Sequence, residues 1–220
     1  MCITIILTST VNVNLIKRFL HQKDKNDRIN TYLKSIRRWL NETKFNIVLV
    51  ENSGHIFSEL ENEQKIYNDR FEIITFDEKE VDEAKYLMNI TSKGASEMFS
   101  IHYAYTHSKI IKNRQPIFII KVTCRYFIPE LEEYLKQYDL NNYDCLVQKN
   151  PNRCELVGSH YNNFNNIFNI NLLDENNNYN GLVEHIWKYR TSMCKNKLVC
   201  KLFNIEKTHR GGVNEFFIFI

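Results

Sequence analysis

The sequence predicts an α/β protein with a mostly parallel central sheet flanked by helices. Short apolar runs rich in β-branched residues alternate with segments whose apolar residues recur every three to four positions. This alternation is typical of buried strands and amphipathic helices that follow each other along the chain. Several of the runs end in polar residues, and ligands of parallel sheets bind at the carboxyl ends of the strands. Those polar segments are therefore the first candidates for a functional site.

The first predicted strand covers residues 3–7 and ends at Thr8-Ser9-Thr10. An amphipathic helix follows at 28–40, where the apolar residues share one face at the 3.6-residue period. Later elements are predicted from the same two periods and from Pro129, which suits the first turn of a helix. In chain order they are strands 45–50 and 71–76, helix 96–111, strand 116–122, helix 129–138, strands 144–148 and 154–160, helix 183–193, and an apolar segment at 198–205 that closes the fold.

Composition narrows the class of protein. A chain of 220 residues that is 43% hydrophobic and 25% charged can bury a large core as one domain, so residues 1–220 are expected to form a single domain. The net charge of +3 is spread along the chain, which argues against a nucleic-acid partner. No apolar stretch reaches the roughly 18 residues of a membrane span, and the N-terminus lacks the features of a secretory signal. We therefore expect a cytoplasmic protein whose six cysteines are free thiols.

Several familiar catalytic motifs are absent from the sequence. It contains no GxGxxG, GxxxxGK[ST] or GxSxG, which argues against Rossmann dinucleotide binding, P-loop hydrolysis and serine hydrolase chemistry. Cys154 and His160 flank one strand, but two ligands alone do not make a zinc site. Cys124 lies close to Lys121 and Arg125, which would lower its pKa, yet no histidine is positioned by sequence as its base. A cysteine nucleophile stays open as an alternative.

Two polar segments could bind a nucleotide. Glu51-Asn52-Ser53-Gly54 ends the second strand, and an acid there can accept hydrogen bonds from a ribose or a base edge. The alternative is a simple strand-ending turn. Lys93-Gly94 precedes Ser96 at a predicted helix start, where free N–H groups favour anions. The alternative here is an ordinary serine cap.

Three further segments carry charges suited to a phosphate or to proton transfer. Lys121 and Arg125 bracket the end of the fourth strand and suit a phosphate, unless they pair with Glu51 or Asp77. Glu184 opens a helix and is a candidate general base, unless it only complements the helix dipole. His209 and Arg210 belong to a cationic, glycine-containing loop, which suits either closure over an anionic ligand or a plain hairpin turn.

The order of these segments resembles the GT-A nucleotide-sugar glycosyltransferases over roughly residues 2–135. The similar pieces are Thr-Ser-Thr after the first strand, Glu-Asn-Ser-Gly after the second, the Ser-Lys-Gly-Ala-Ser-Glu helix start, and Lys121–Phe127, which reads KVTCRYF. This last piece is similar to a K(I/V)TGRYF segment of small viral and bacterial proteins. The Glu184 helix is similar to the one that supplies the catalytic base in inverting members.

The resemblance implies a GT-A fold, with residues 1–135 forming the nucleotide-sugar half and a smaller acceptor half at about 136–220. The expected nucleotide-sugar contacts are Thr8, Thr10, Glu51, Asn52, Ser53, Lys93, Gly94, Thr123, His209 and Arg210. Lys121 and Thr123 stand where the family has two acids, and they cannot hold Mn²⁺ or Mg²⁺ as carboxylates do. The resemblance thus implies that Lys121, Arg125, His209 and Arg210 replace the metal, so no cofactor is expected.

The sequence thus predicts a glycosyltransferase that moves a sugar from a UDP- or GDP-sugar to a hydroxyl of a glycan. Glu184 would act as the base, and the anomeric configuration would invert. Two alternatives stay open. One is a nucleotidyltransferase of similar fold, which needs carboxylates for a metal. The other is a sugar-nucleotide-binding module that has lost its catalytic acids.

Overall fold

A seven-stranded sheet forms the centre of the computed structural model, which describes residues 2–220. Its strand order is β3-β2-β1-β4-β6-β5-β7, and only β6 in this described sheet runs antiparallel to its neighbours. The bounds of its strands are β1 Ile3–Ser9, β2 Asn46–Glu51, β3 Phe71–Thr75, β4 Phe118–Thr123, β5 Cys145–Val147, β6 Leu156–His160 and β7 Lys197–Val199. Two further strands, β8 (Asn204–His209) and β9 (Phe216–Phe219), pair as a separate antiparallel hairpin.

Helices cover both faces of the sheet. Their bounds are α1 Lys25–Glu42, α2 Glu61–Ile66, α3 Lys93–His107, α4 Lys109–Arg114, α5 Leu131–Leu135, α6 Phe164–Ile167 and α7 Val183–Ser192. A 3-10 helical segment at Asp82–Asn89 precedes α3. No helix among the described residues is long and apolar enough to cross a membrane.

The core lies in two layers, one on each face of the sheet. Strand β1 is buried along its whole length, and its successive side chains pack alternately into the two layers. Ile5 packs on the α1 side and Ile6 on the α3 side. Trp39 of α1 is fully buried, and its Nε1 donates a 2.9 Å hydrogen bond to the carbonyl of Tyr126. This contact fixes α1 against the chain that leaves the end of β4.

The predicted α/β fold with a mostly parallel sheet is confirmed, and the helix boundaries differ. The single helix expected at 96–111 is two helices, because the Ser108 hydroxyl accepts the N–H of Ile111 and caps a new helix there. The first of the two begins three residues earlier than predicted, with Ser92 as its cap in place of Ser96. Lys93 and Gly94 therefore lie within the first turn of α3.

Candidate active site

A cleft of about 750 Å³ opens at the carboxyl ends of β1, β2 and β4. The strand ends supply its floor, including Thr8 and Thr123. The first turn of α3 forms one wall, and residues 179–184, which lead into α7, form another. Residues 210–213 between β8 and β9 form a third wall. The cleft therefore lies where ligands bind in parallel α/β sheets.

Residues 10–23, between β1 and α1, run along the rim of this cleft. The Lys17 ammonium donates to the carbonyl of Leu87 at 2.7 Å, and the N–H of Arg18 donates to Thr91. Further along, the N–H of His21 donates to the carbonyl of Gly211 at 3.1 Å. The segment thereby links the chain before α3 to the β8–β9 hairpin.

Besides the exposed Arg18, three cations that are buried or half-buried line the cleft without a carboxylate partner within 4 Å among residues 2–220. The Arg28 guanidinium is only 5% exposed and donates to the carbonyls of Thr10 and Gln22. Arg125 is 8% exposed, and its guanidinium donates to the Gln22 side chain at 2.9 Å. Lys93 donates to the carbonyl of Phe19 at 2.7 Å. Because a buried charge is costly without a counter-charge, three unpaired cations in one cleft favour an anionic ligand.

Burial also changes the proton affinity of two of these cations. Burial lowers the pKa of the Lys93 ammonium, and the nearby Glu97 and Glu184 carboxylates partly offset this effect. Burial likewise lowers the pKa of Arg28, and the charge of Arg125 contributes in the same direction. The two guanidinium groups and the ammonium are therefore close enough to repel one another, and a shared anion would relieve that repulsion.

Lys121 is placed differently from the expectation that it contacts a phosphate directly. Its side chain has no exposed surface, and its Nζ lies 2.7 Å from Glu97 Oε1. It also donates to Thr123 Oγ1 at 3.0 Å and to the carbonyl of Cys154 at 2.7 Å. Burial alone would lower the pKa of Lys121, but the Glu97 carboxylate raises it above its usual value. Lys121 is therefore a partner of Glu97, and neither predicted acid, Glu51 or Asp77, pairs with it.

Glu97 is the centre of a small polar network on the cleft floor. Its carboxylate accepts the Thr8 hydroxyl at 2.8 Å and the Thr123 hydroxyl at 3.4 Å, besides the Lys121 ammonium. Thr8 and Thr123 line the cleft, with their hydroxyl protons directed to this carboxylate. The network holds the ends of β1 and β4 to α3.

Glu51 is a structural carboxylate here, contrary to the expectation that it faces a nucleoside. The side chain is fully buried and accepts the backbone N–H groups of Val11, Ser53 and His55, each at 2.9 Å. The Ser53 hydroxyl donates to it as well. Burial raises the pKa of Glu51, and these hydrogen bonds oppose the increase. Glu51 and Ser53 thus hold the turn after β2 to the start of the 10–23 segment.

Thr10 and Asn52 lie where the cleft meets a second cavity of about 450 Å³. The Thr10 hydroxyl donates to Asn52 Oδ1 at 2.6 Å, and Asn52 Nδ2 donates to Glu78 Oε1 at 2.6 Å. Glu78 is buried and faces the Lys17 ammonium at 4.0 Å. Burial raises the pKa of this carboxyl. A chain of polar groups therefore connects the ends of β1 and β2 with the segment after β3.

Glu184 lies in the first turn of α7 and lines the cleft. Its carboxylate is half-buried and has no hydrogen-bond or ion-pair partner within the described part of the chain. Close packing fixes the start of its helix, because a Cβ on Gly94 would lie 2.7 Å from the Cβ of Val183. Gly94 is thus required for the approach of α7 to α3.

Residues 207–212 comprise the end of β8 and the start of the hairpin turn to β9, and the turn borders the cleft. Arg210 begins the turn, and its N–H donates to the carbonyl of Glu215. A Cβ on Gly211 would lie 2.5 Å from a guanidinium nitrogen of Arg125, so the glycine allows the turn to pack on that side chain. The His209 ring does not enter the cleft; it stacks on His21 with centroids 5.3 Å apart. Only its carbonyl faces Arg125, at 3.4 Å.

The alternatives that depend on cysteine are not supported by the structure. Cys124 is fully buried, and burial raises the pKa of its thiol far above its usual value, so the expected activation by Arg125 does not occur. No group of three or more His, Cys, Asp or Glu side chains within residues 2–220 is arranged to hold a metal ion. Cys154 and His160 accordingly do not form part of such a group.

Sequence reasoning missed Arg28 and Glu97. Arg28 was expected only as the first residue of an amphipathic helix, and no local signal separates a buried arginine from an exposed one at that position. Glu97 was treated as part of a helix start. A Lys–Glu pair spaced for one helix face, Lys93 and Glu97, was an available signal that both side chains point to the same side.

Neither protein-family models nor curated proteins match the sequence, but solved structures share its fold. The glycosyltransferase GlyE of Streptococcus pneumoniae TIGR4 matches with a TM-score of 0.51 at 8% identity, over 90% of this chain and 45% of that one. S. aureus TarS 1-349, solved in complex with UDP-GlcNAc, matches with a TM-score of 0.50 at 11% identity, over 97% of this chain and 60% of that one. The chain spans about half the length of these proteins. At such identities the similarity establishes the GT-A type of fold and nothing finer.

Proposed function

We propose that this chain transfers a sugar from a nucleotide-diphosphate donor to a hydroxyl acceptor, with a UDP- or GDP-sugar as donor and a glycan as acceptor. The observation that carries the proposal is the set of three unpaired cations, Arg28, Lys93 and Arg125, at the carboxyl ends of the strands. A donor diphosphate offers the matching anion. The fold shared with TarS, which was solved with UDP-GlcNAc, is consistent with such a donor.

The diphosphate would displace neutral groups from these cations. Arg125 now donates to the Gln22 amide oxygen and Lys93 to the Phe19 carbonyl. A phosphate oxygen accepts a charge-assisted hydrogen bond that is roughly twice as strong as one to a neutral acceptor. Arg210 at the hairpin turn lines the same cleft, 4.0 Å from the Glu215 carboxylate, and would add a further cation. The negative charge that develops on the leaving diphosphate would be stabilised in this way.

Glu184 would act as the general base. Its carboxylate is unpartnered, lines the cleft and lies near Lys93. In the reaction, the acceptor oxygen forms a bond to the anomeric carbon while the bond from that carbon to the diphosphate oxygen breaks. The electron pair of the broken bond leaves with the diphosphate, and the acceptor proton passes to Glu184. Direct attack on the face opposite the leaving group inverts the anomeric configuration.

We propose that the reaction proceeds without a metal ion. The residues at the end of β4, Lys121 and Thr123, offer an ammonium and a hydroxyl, and both are bonded to Glu97. This donor set does not fit a divalent cation, which prefers several carboxylate or carbonyl oxygens. The cations of the cleft would neutralise the diphosphate instead.

The test is release of sugar from a panel of UDP- and GDP-sugars, with and without saccharide acceptors, in the presence of EDTA. Replacing a general base lowers the rate by about 10²–10⁴-fold, so Glu184→Gln should lose that factor while donor affinity is retained. Glu83→Gln is the matched control, since Glu83 is exposed and lies outside the cleft. Equal rates for Glu184→Gln and Glu83→Gln would exclude Glu184 as the base.

A further inference from the structure

A third cavity, of about 360 Å³, lies between α1 and β8, on the other side of Arg125 from the cleft. Among the residues of these two elements that line it are Lys34 and Ser35 of α1, and Glu206 and Lys207 of β8. Arg125 is the residue that the two cavities share. We refer to this cavity as the α1–β8 pocket. No role is assigned to it in the sugar transfer proposed above.

A partition of hydrogen-bonded side chains separates the two cavities. Arg125 donates to the Gln22 amide oxygen at 2.9 Å and to the carbonyl of His209 at 3.4 Å. The ring of His209 stacks on that of His21 and packs on Phe216, with centroids 3.9 Å apart for the latter pair. The α1–β8 pocket is therefore a site of its own and not a continuation of the cleft.

The charges of the pocket favour an anion. Four cations line it, Lys34, Arg38, Arg125 and Lys207, against two carboxylates, those of Asp27 and Glu206. Lys34 and Arg38 are both paired with Glu206. Arg125 and Lys207 have no carboxylate within 4 Å in the described chain; the Lys207 ammonium lies over the Phe216 ring, 4.7 Å from its centroid. Arg125 and Lys207 thus remain without a counter-charge at contact distance, against one lining carboxylate, Asp27, that is also unpaired.

Two buried polar atoms at the pocket also lack partners. Ser35 is only 4% exposed, and its hydroxyl makes no hydrogen bond within residues 2–220. The Nδ1 atom of His209 is likewise buried and unbonded in this part of the chain. Buried polar groups normally have a hydrogen-bond partner, because leaving one unsatisfied costs about 1–3 kcal/mol. Both atoms have almost no exposed surface, so they lie behind the pocket wall, and the groups that an oxyanion meets directly are the two unpaired cations.

We propose that the α1–β8 pocket binds the phosphate group of a small phosphate ester. A phosphate monoester carries a charge of about −1.5 to −2 at pH 7, which matches the two unpaired cations, and it offers three acceptor oxygens. The cavity volume lies in the range of small-molecule sites, so there is room for the body of the molecule. The proposal goes beyond the proposed function and does not depend on it. A phosphate ester bound in the α1–β8 pocket would contact the Arg125 guanidinium, which also faces the cleft. It would therefore influence ligand binding in the cleft.

The test is a titration followed by ¹⁵N–¹H NMR, which reports on the two cavities separately. The probes are inorganic phosphate and glycerol 1-phosphate at constant ionic strength. We expect the amide signals of Ser35 and Thr208 to shift and saturate. Lys207→Ala should weaken this binding by about tenfold or more, the effect of losing a charge-assisted hydrogen bond. Lys109→Ala, a change at an exposed lysine outside the pocket, should leave it unaltered.

Two results would overturn the proposal. One is a phosphate response confined to cleft amides such as those of Gly94 and Gly181; the other is equal affinity in Lys207→Ala and Lys109→Ala. Saturable shifts of the Ser35 amide signal with either probe support the site. If glycerol 1-phosphate binds more tightly than inorganic phosphate, the natural ligand is an ester; if inorganic phosphate binds more tightly, it is free phosphate. Failure of sugar transfer would leave these signals unaffected, so the two proposals fail independently.

Discussion

Replacing Lys121 by methionine tests whether this residue supports the cleft floor or contacts a ligand. Methionine keeps the length and most of the volume of lysine but removes the charge. The change breaks the 2.7 Å ion pair to Glu97 and removes the donor to the Cys154 carbonyl. Breaking a buried pair by removing one partner costs about 3–5 kcal/mol.

The structure places the expected loss near the lower end of that range. The Glu97 side chain is 21% exposed and keeps the Thr8 hydroxyl at 2.8 Å, so its charge can still be partly solvated. We therefore expect Lys121→Met to lower the free energy of unfolding by about 3 kcal/mol. For a chain of this size the midpoint of thermal unfolding should fall by about 6–12 °C.

The double variant Lys121→Met/Glu97→Gln provides the control. Removing both charges leaves no uncompensated carboxylate, so the double variant should be more stable than Lys121→Met alone by about 2 kcal/mol, within the coupling energies found for contacting residues. Calorimetry of the four proteins in the cycle measures this coupling. If Lys121→Met unfolds at the wild-type temperature but loses nucleotide affinity, Lys121 contacts the ligand directly and the assignment is wrong.

Three further predictions concern the surroundings of the cleft. Gly94→Ala should lower the free energy of unfolding by about 1–3 kcal/mol, because the added Cβ clashes with Val183 even though alanine favours helices. Urea denaturation measures this change, and a variant more stable than the wild type would contradict the packing described. Burial of Glu155 would raise its pKa, but the Arg153 guanidinium lowers it below its usual 4.5, so the carboxylate stabilises the fold above that pH. The stability difference between wild type and Glu155→Gln should therefore be constant near neutral pH and shrink as the pH falls below 4.5; growth of the difference in acid would refute the pairing. Iodoacetamide at about pH 8 should spare Cys124 in the native protein, and mass spectrometry that finds it alkylated as fast as in urea would contradict its burial.

The sequence determined the order and type of most elements because strands buried on both faces are continuous apolar runs. Strand β1 and strand β4 were found in this way, and the polar residues at their ends were correctly expected at one edge of the sheet. The break before Ser108 was missed because the apolar period continues across it, and only a side-chain cap ends one helix and starts the next.

The direction of individual side chains could not be predicted from the sequence. Lys121 was expected to face the cleft, but its position on β4 directs it toward α3, where Glu97 meets it. Glu51 was expected to be available to a ligand, and it accepts hydrogen bonds from residues both before and after it in sequence. Such pairings depend on how separate segments pack, which a strand or helix period does not encode.

The most direct test of the central claim is calorimetric titration of UDP and GDP in EDTA, beside uridine and guanosine. The unpaired cations of the cleft predict that one diphosphate binds without metal at least about tenfold more tightly than its nucleoside. Arg125→Gln should remove most of that difference, because Arg125 supplies a buried, unpaired guanidinium. Binding that requires Mn²⁺, or equal affinity for the diphosphate and its nucleoside, would contradict the account.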